Sequence, residues 1–173
     1  MGKNILLVKE LKEKDVNLIA DYWFNSPPEH LRGMGVDPAK MPQKDDFKTA
    51  LLTQLTLPFE EKNAYALIWY VNDKPIGHCN VNPIEYNDHA YMHLHIWNDE
   101  YRKNGYGTDF IKMSTPYFFN NLKIKTLYCQ PYANNTSPNK TLEKAGFTYI
   151  KEYITIPGAI TFEQPVKLWE IKQ

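Results

Sequence analysis

The sequence predicts an α+β fold: one three-layer domain over residues 1–173, built on a single mixed, mostly antiparallel sheet of about seven strands with helices on both faces. Three observations predict it. Apolar spacing alternates between a helical period and short strand-like runs. Glycine and proline punctuate those switches. With 43% apolar and 14% aromatic residues, the chain can bury one substantial core, and no repeat or low-complexity tract interrupts it.

The elements follow in order. Residues 4–11 are short and apolar, a first strand. In 15–24, Val16, Ile19, Ala20 and Trp23 fall at helical spacing. Residues 26–43 hold Pro27, Pro28, Pro38, Pro42, Gly33 and Gly35, a texture that no single regular element tolerates. Helical spacing returns over 45–57 and stops at Pro58. Strands are predicted over 64–71, 76–84 and 89–97, with polar turns between them. A helix over 107–120 contains Pro116, whose missing N–H predicts a kink or a restart. Residues 126–133 read as a fifth strand, and 138–145 as a short helix ended by Gly146. Residues 147–156 and 160–171 close the fold as a hairpin around Pro157 and Gly158. Pro165 in that last strand costs a ladder hydrogen bond, so a bulge is expected there.

Charge narrows the function classes. The 20 basic and 20 acidic residues cancel, with a pI near 7.0. A nucleic-acid surface or an anionic-membrane anchor needs concentrated positive charge, so neither partner is expected. The longest apolar run, 64–71, is too short to cross a bilayer, and the first residues lack the pattern of a signal peptide. Leu6 stands where a myristoylation signal carries Ser or Thr. Cys79 and Cys129 each sit inside an apolar run, which favours free thiols in a reducing, cytoplasmic setting. A homodimer is left open.

The sharpest local signal is Ile96-Trp97-Asn98-Asp99-Glu100-Tyr101-Arg102-Lys103-Asn104-Gly105-Tyr106-Gly107-Thr108. A strand runs into a turn with two glycines, and a helix begins at once. Glycines let backbone N–H groups converge on an anion, and the helix start adds partial positive charge. A nucleotide P-loop would need Gly-Lys-Ser/Thr where this chain has Gly107-Thr108-Asp109. A dinucleotide fingerprint would need a third small residue where it has Phe110.

Arg102 to Gly107 resembles the R-x-x-G-x-G loop of the GNAT acetyltransferases. A second segment, Tyr132 to Phe147, resembles the strand-loop-helix ending in E-K-x-G-F that closes the family's cofactor site, here Glu143-Lys144-Ala145-Gly146-Phe147. The resemblance covers nearly the whole chain and looks closest to the branch with ribosomal-protein alanine acetyltransferases and aminoglycoside 6′-acetyltransferases. It implies a sheet splayed between its fourth and fifth strands, with acetyl-CoA as co-substrate and no metal. The pantetheine arm would pair with backbone near His95, Ile96 and Trp97. The pyrophosphate would lie on the N–H groups of Lys103, Asn104, Gly105, Tyr106, Gly107 and Thr108, with Arg102 and Lys103 adding charge. Asn135 matches the family asparagine that bonds the cofactor arm.

Acetyl transfer to an amine needs a neutral nitrogen, a stabilised oxyanion and a proton for the thiolate. Strand alternation puts Tyr91, His93 and His95 on one face. A histidine suits proton abstraction near neutral pH, and His93 falls on a position where serotonin N-acetyltransferase, a family member, carries one. A structural role for both histidines is the competing reading. A zinc site on His89, His93 and His95 lacks an obvious fourth ligand. Many family members carry a tyrosine just before the E-K pair, and this chain has Leu142; Tyr132, Tyr128 and Cys129 are the neighbouring alternatives for the acid. Residues 26–43 occupy the family's acceptor-pocket position, where Asp37, with Glu29 and Asp46, would attract a cationic amine; Glu85 and Asp88 flank the turn before the fourth strand. The expected activity is N-acetylation of a small-molecule amine or a protein N-terminus, and the alternative is a CoA-binding module without turnover.

Overall fold

A computed structural model describes residues 4–102 and 104–173. The chain forms a seven-stranded sheet in the order β1-β2-β3-β4-β5-β7-β6. The strands are β1 (Leu6–Glu10), β2 (Tyr65–Val71), β3 (Lys74–Glu85), β4 (His89–Ile96), β5 (Thr126–Cys129), β6 (Thr148–Thr155) and β7 (Gln164–Lys172). Every pairing is antiparallel except β4 with β5. The helices are α1 (Val16–Asn25), α2 (Pro28–Gly33), α3 (Lys44–Thr56), α4 (Tyr106–Leu122) and α5 (Thr136–Lys144). The predicted mixed sheet with helices on both faces is present.

Three local expectations change. The proline-rich stretch is not wholly irregular: α2 starts at Pro28, a position where the missing N–H costs nothing, and a 3-10 turn covers Pro38–Lys40. α4 runs through Pro116 without a restart. The Lys112 carbonyl, which residue 116 would normally bond, instead lies 3.4 Å from the Thr115 hydroxyl. Pro165 pairs in register with Ile154, and the register shift of this hairpin falls between Tyr149 and Lys151. The Pro165 carbonyl accepts from the Ala133 N–H at 2.8 Å, so its nitrogen also faces the side where β5 has ended. Pairing on that side is confined to an isolated bridge between Tyr132 and Val166, so the missing N–H interrupts no continuous ladder.

The two faces of the sheet are packed differently. On one, α4 and α5 close a continuous core of Leu67, Trp69, Val81, Met92, Phe110, Phe118, Leu127 and Leu142. The Trp69 and Phe110 rings stack at 5.0 Å, and Trp69 donates to the Ser114 hydroxyl at 2.9 Å. On the other face α1 packs through Val16 and Ile19 on Leu11, Ala66 and Ile68. α3 carries Phe47, Leu51, Leu52 and Leu55, yet none of its residues is fully buried.

Candidate active site

β4 and β5 pair only from His89 to Tyr91 opposite Thr126 to Tyr128. Beyond that point they part, and the Cys129 thiol reaches the Met92 carbonyl at 3.0 Å across the opening. Trp97 N–H bonds Ile76 on the β3 side. Alternation along β4 then turns the backbone groups of Met92, Leu94 and Ile96 toward the gap. The Ile96 carbonyl is held by the Arg102 guanidinium at 3.1 and 2.9 Å. Leu94, with the Ile96 N–H, is therefore the gap-facing backbone, one step from the expected His95 and Trp97.

A cavity of about 920 Å³ opens through this gap onto the α1–α3 face. Its wall includes His78, Asn80, Asn82, His93, His95, Cys129, Tyr132 and Asn135. His78, Asn80 and Asn82 alternate along β3, and the registers His78 to His95 and Asn80 to His93 place them beside the β4 histidines. The β3 register shifts between Val81 and Ile84, and there the Asn82 carbonyl meets His93 Nε2 at 2.8 Å. A carbonyl only accepts, so Nε2 carries the proton and Nδ1 keeps a lone pair. Among the described residues no buried side-chain nitrogen or oxygen lacks a partner, so the unbonded Nδ1 is open to the cavity. Burial pushes the His93 pKa down, and the Asn82 carbonyl offsets part of that. His93 is thus a neutral imidazole with a free acceptor nitrogen.

A second network lies behind it. Trp97 Nε1 donates to His78 Nδ1 at 2.8 Å, fixing the proton of His78 on Nε2. His78 is 1% exposed, and burial pushes its pKa to about 3. It stacks on His95 at 4.8 Å. Burial first, then neighbouring His78 and His93, holds His95 well below the usual histidine range. The Tyr22 hydroxyl lies 3.3 Å from His95 Nδ1 and 3.1 Å from His30 Nε2. It can donate to only one of them at a time. His30 opens to a separate surface cleft lined by Ser26, Trp97, Asp99 and Arg102. Nothing in the helical pattern of α1 separates Tyr22 from a core residue, so its place beside His95 is not legible in the sequence. His78 was within reach of strand alternation, because it shares a face with Asn80 and Asn82.

The glycine loop ends at Gly105, which adopts φ +80° and caps α4 without a side chain. The first N–H groups of α4 are left to an outside acceptor. Thr108 N–H is already returned to the Gly105 carbonyl at 3.2 Å, and Asn104 bonds the Glu100 carbonyl at 2.8 Å. At Gly107 a Cβ would stand 3.2 Å from Thr141, so this glycine serves the approach of α5. Lys103 lies outside the described residues. Asn135 and Tyr132 share the cavity wall, and buried Asn139 binds both of their carbonyls, at 2.8 and 3.3 Å. Tyr132 accepts from the Asn134 amide at 3.1 Å and keeps its own proton to give. The uncapped helix, the parted strands and Asn135 together fit a pyrophosphate with an extended arm.

The family model described as Acetyltransferase (GNAT) domain matches residues 6–148. The chain belongs to this GNAT family. No protein of curated function matches by sequence. The spermidine N-acetyltransferase of Vibrio cholerae, solved with CoA and spermine, superposes with TM-score 0.77 at 18% identity, covering 97% of this chain and 95% of that one. A ribosomal L7/L12 α-N-protein acetyltransferase, RimL, solved with CoA, gives TM-score 0.76 at 12% identity, with 96% and 93% covered. The Salmonella typhimurium acetyltransferase for the N-terminal serine of L7/L12 gives 0.75 at 11%, with 97% and 95% covered. These likenesses show the GNAT fold, splayed at β4 and β5.

Other predicted residues lie elsewhere. The Asp37 carboxylate accepts from Ala39 N–H at 3.0 Å as the cap of the 3-10 turn, and it is not on the cavity wall. Glu85 ends β3, exposed and also off the wall. The segment carrying Asp37 is ordered over the site by the β6–β7 loop: Val36 bridges Thr161, and Gln164 donates to the Gly35 carbonyl at 2.8 Å. Among the described residues no group of three or more His, Cys, Asp or Glu is placed to hold a metal, and no helix is long and apolar enough to cross a membrane.

Proposed function

We propose that this GNAT protein transfers acetyl from acetyl-CoA to a primary amine, on a small molecule or a protein N-terminus, by direct attack within a ternary complex. The observation that carries the reading is His93: neutral, pinned by Asn82, with Nδ1 open to the cavity where β4 and β5 part. The amine nitrogen forms its bond to the thioester carbonyl carbon as the carbon–sulfur bond breaks. His93 Nδ1 takes the proton the nitrogen sheds, and the Tyr132 hydroxyl gives one to the departing thiolate. The α4 N-terminus from Gly105 to Gly107, Leu94 and Ile96 backbone and Asn135 hold the donor. His95, Tyr22 and His30 offer a route by which protons reach the second cleft. The two buried free thiols fit a reducing, cytoplasmic setting.

A CoA-binding module without turnover is the second reading. It is favoured by Leu142, which is fully buried and leaves the α5 position without an acid. Thiol release from acetyl-CoA over a panel of amines separates the two. Amine-dependent release supports transfer; a saturable CoA-dependent melting shift with no release on any amine supports the module.

A further inference from the structure

We infer that the space beneath α3 seats the body of the acceptor, and that this acceptor is a monoamine bearing an apolar aryl or alkyl group rather than a polyamine. This rests on the acetyl-transfer reading above and adds the substrate class to it. The floor follows from strand register. Leu11 bonds Ala66, Ala66 pairs with Asn80, and Asn80 pairs with His93. Four neighbouring chains span roughly 14 Å at the usual strand spacing. A straight trough therefore leads from the histidine across β3 and β2 to the edge of β1. Ala66 lies midway, where its small side chain leaves the depression, while Ile68, the next residue on that face, is fully buried.

The roof is apolar and incompletely filled. Ile19 and Trp23 from α1, with Phe47, Leu51 and Leu55 from α3, line the cavity. α3 packs Phe47, Leu51, Leu52 and Leu55 on the edge of the α1 cluster, yet none of them is fully buried, and Phe47, Leu51 and Leu55 also border the cavity. The walls decide the charge. Glu10 is the single carboxylate among the described wall residues, and it lies at the far end, where it accepts from the Tyr65 hydroxyl. The Lys62 ammonium stands at the same end, donating to the Gln54 carbonyl. A polyamine would bring several ammonium groups under α3 with one carboxylate to meet them. One amine at the histidine and an apolar body beneath α3 match the apolar roof and the single, distant carboxylate.

Steady-state kinetics with 4-phenylbutylamine, methylamine and spermidine test this. The expected kcat/KM for 4-phenylbutylamine exceeds that of each of the others by at least about 30-fold, a gain of the size that apolar pockets give. In Ala66→Leu, and in Leu51→Gln on the half-exposed helix, the ratio of 4-phenylbutylamine to methylamine should fall toward unity with the melting temperature retained. Equal use of the amines, a preference for spermidine, or an unchanged ratio in both variants would overturn the inference while leaving acetyl transfer intact. So would faster thiol release from octanoyl-CoA than from acetyl-CoA, lost in Ala66→Leu, which would give the trough to the donor's acyl chain. If no amine is acetylated, the acetyl-transfer reading fails, and calorimetry with N-acetyl-4-phenylbutylamine decides the trough. Binding to the CoA-saturated protein that weakens about tenfold in Ala66→Leu upholds it; no binding overturns it.

Discussion

The two faces of the sheet use the same kind of residue for opposite ends. Beneath α4 and α5, large apolar side chains meet one another and leave no room: Trp69, Phe110, Phe118 and Leu142 are all fully buried. On the other face α1 packs on Leu11, Ala66 and Ile68, but the large apolar side chains of α3 stay only partly buried, and histidines and asparagines line the cavity that remains beside them. One face makes the fold stable, and the other gives up packing to keep a cavity beside the parted strands. Burial alone does not distinguish them; what the apolar groups touch does.

The largest expected difference is in stability. Phe110→Ala removes a fully buried ring stacked on Trp69 and should cost about 3–5 kcal/mol. Leu51→Ala, on the half-filled face, should cost about 1 kcal/mol or less, since its side chain already borders open space. Urea denaturation of both variants measures the contrast, and equal costs would erase it.

Next is the donor loop, where the packed face ends in the uncapped α4. Gly105→Glu places a carboxylate against those N–H groups at a position with φ +80°, so CoA affinity should fall by about 100-fold or more. No atom lies within 4 Å of a Cβ there, so the loss comes from charge and backbone rather than from a clash. Gly105→Asn, which tolerates the left-handed conformation, should retain most of the affinity by calorimetry.

The polar face should also reveal itself through pH. His78 is buried and neutral, with its folded pKa near 3. The unfolded chain therefore binds this proton first: stability is full above about pH 6.5 and falls as pH drops toward the folded value. At pH 5 the share from His78 is about 2 kcal/mol. Chemical denaturation from pH 7 to pH 5 should show a shallower loss for His78→Gln than for the wild type. Identical slopes would place the unfavourable burial elsewhere.

The smallest effect is expected at Asp37. Its carboxylate caps a turn and is not among the residues of the cavity wall. Asp37→Asn should change the acceptor KM by less than about threefold, because asparagine caps nearly as well. A tenfold rise would return Asp37 to acceptor recognition.

How much of this was legible in the sequence differs between the same two faces. The element order, the glycine loop and the α5 segment were readable, because period, punctuation and spacing are local properties. The outcome at Pro165 was not, since it depends on which neighbour strand its nitrogen faces. The end of β5 at Cys129 was equally hidden, although Pro131, two residues on, lacks an N–H to continue a ladder. Within the site, His93 and His95 were visible through alternation. Tyr22 and Asn82 were not: one is joined to His95 across 73 residues, and the other is presented by a register shift in β3. At Asp37 the hidden feature is the local turn, in which the carboxylate accepts the Ala39 N–H.

The proposed transfer turns on His93. The measurement is the pH dependence of kcat for amine-dependent thiol release, compared between the wild type and His93→Gln at saturating acetyl-CoA. Because the His93 pKa is held below 6.5, the wild type should lose activity only as the pH falls through that lower range. His93→Gln should lower kcat by about 10²- to 10⁴-fold, remove that acidic limb and leave CoA affinity unchanged. A folded His93→Gln protein with kcat within about threefold of the wild type and the same acidic limb would contradict it.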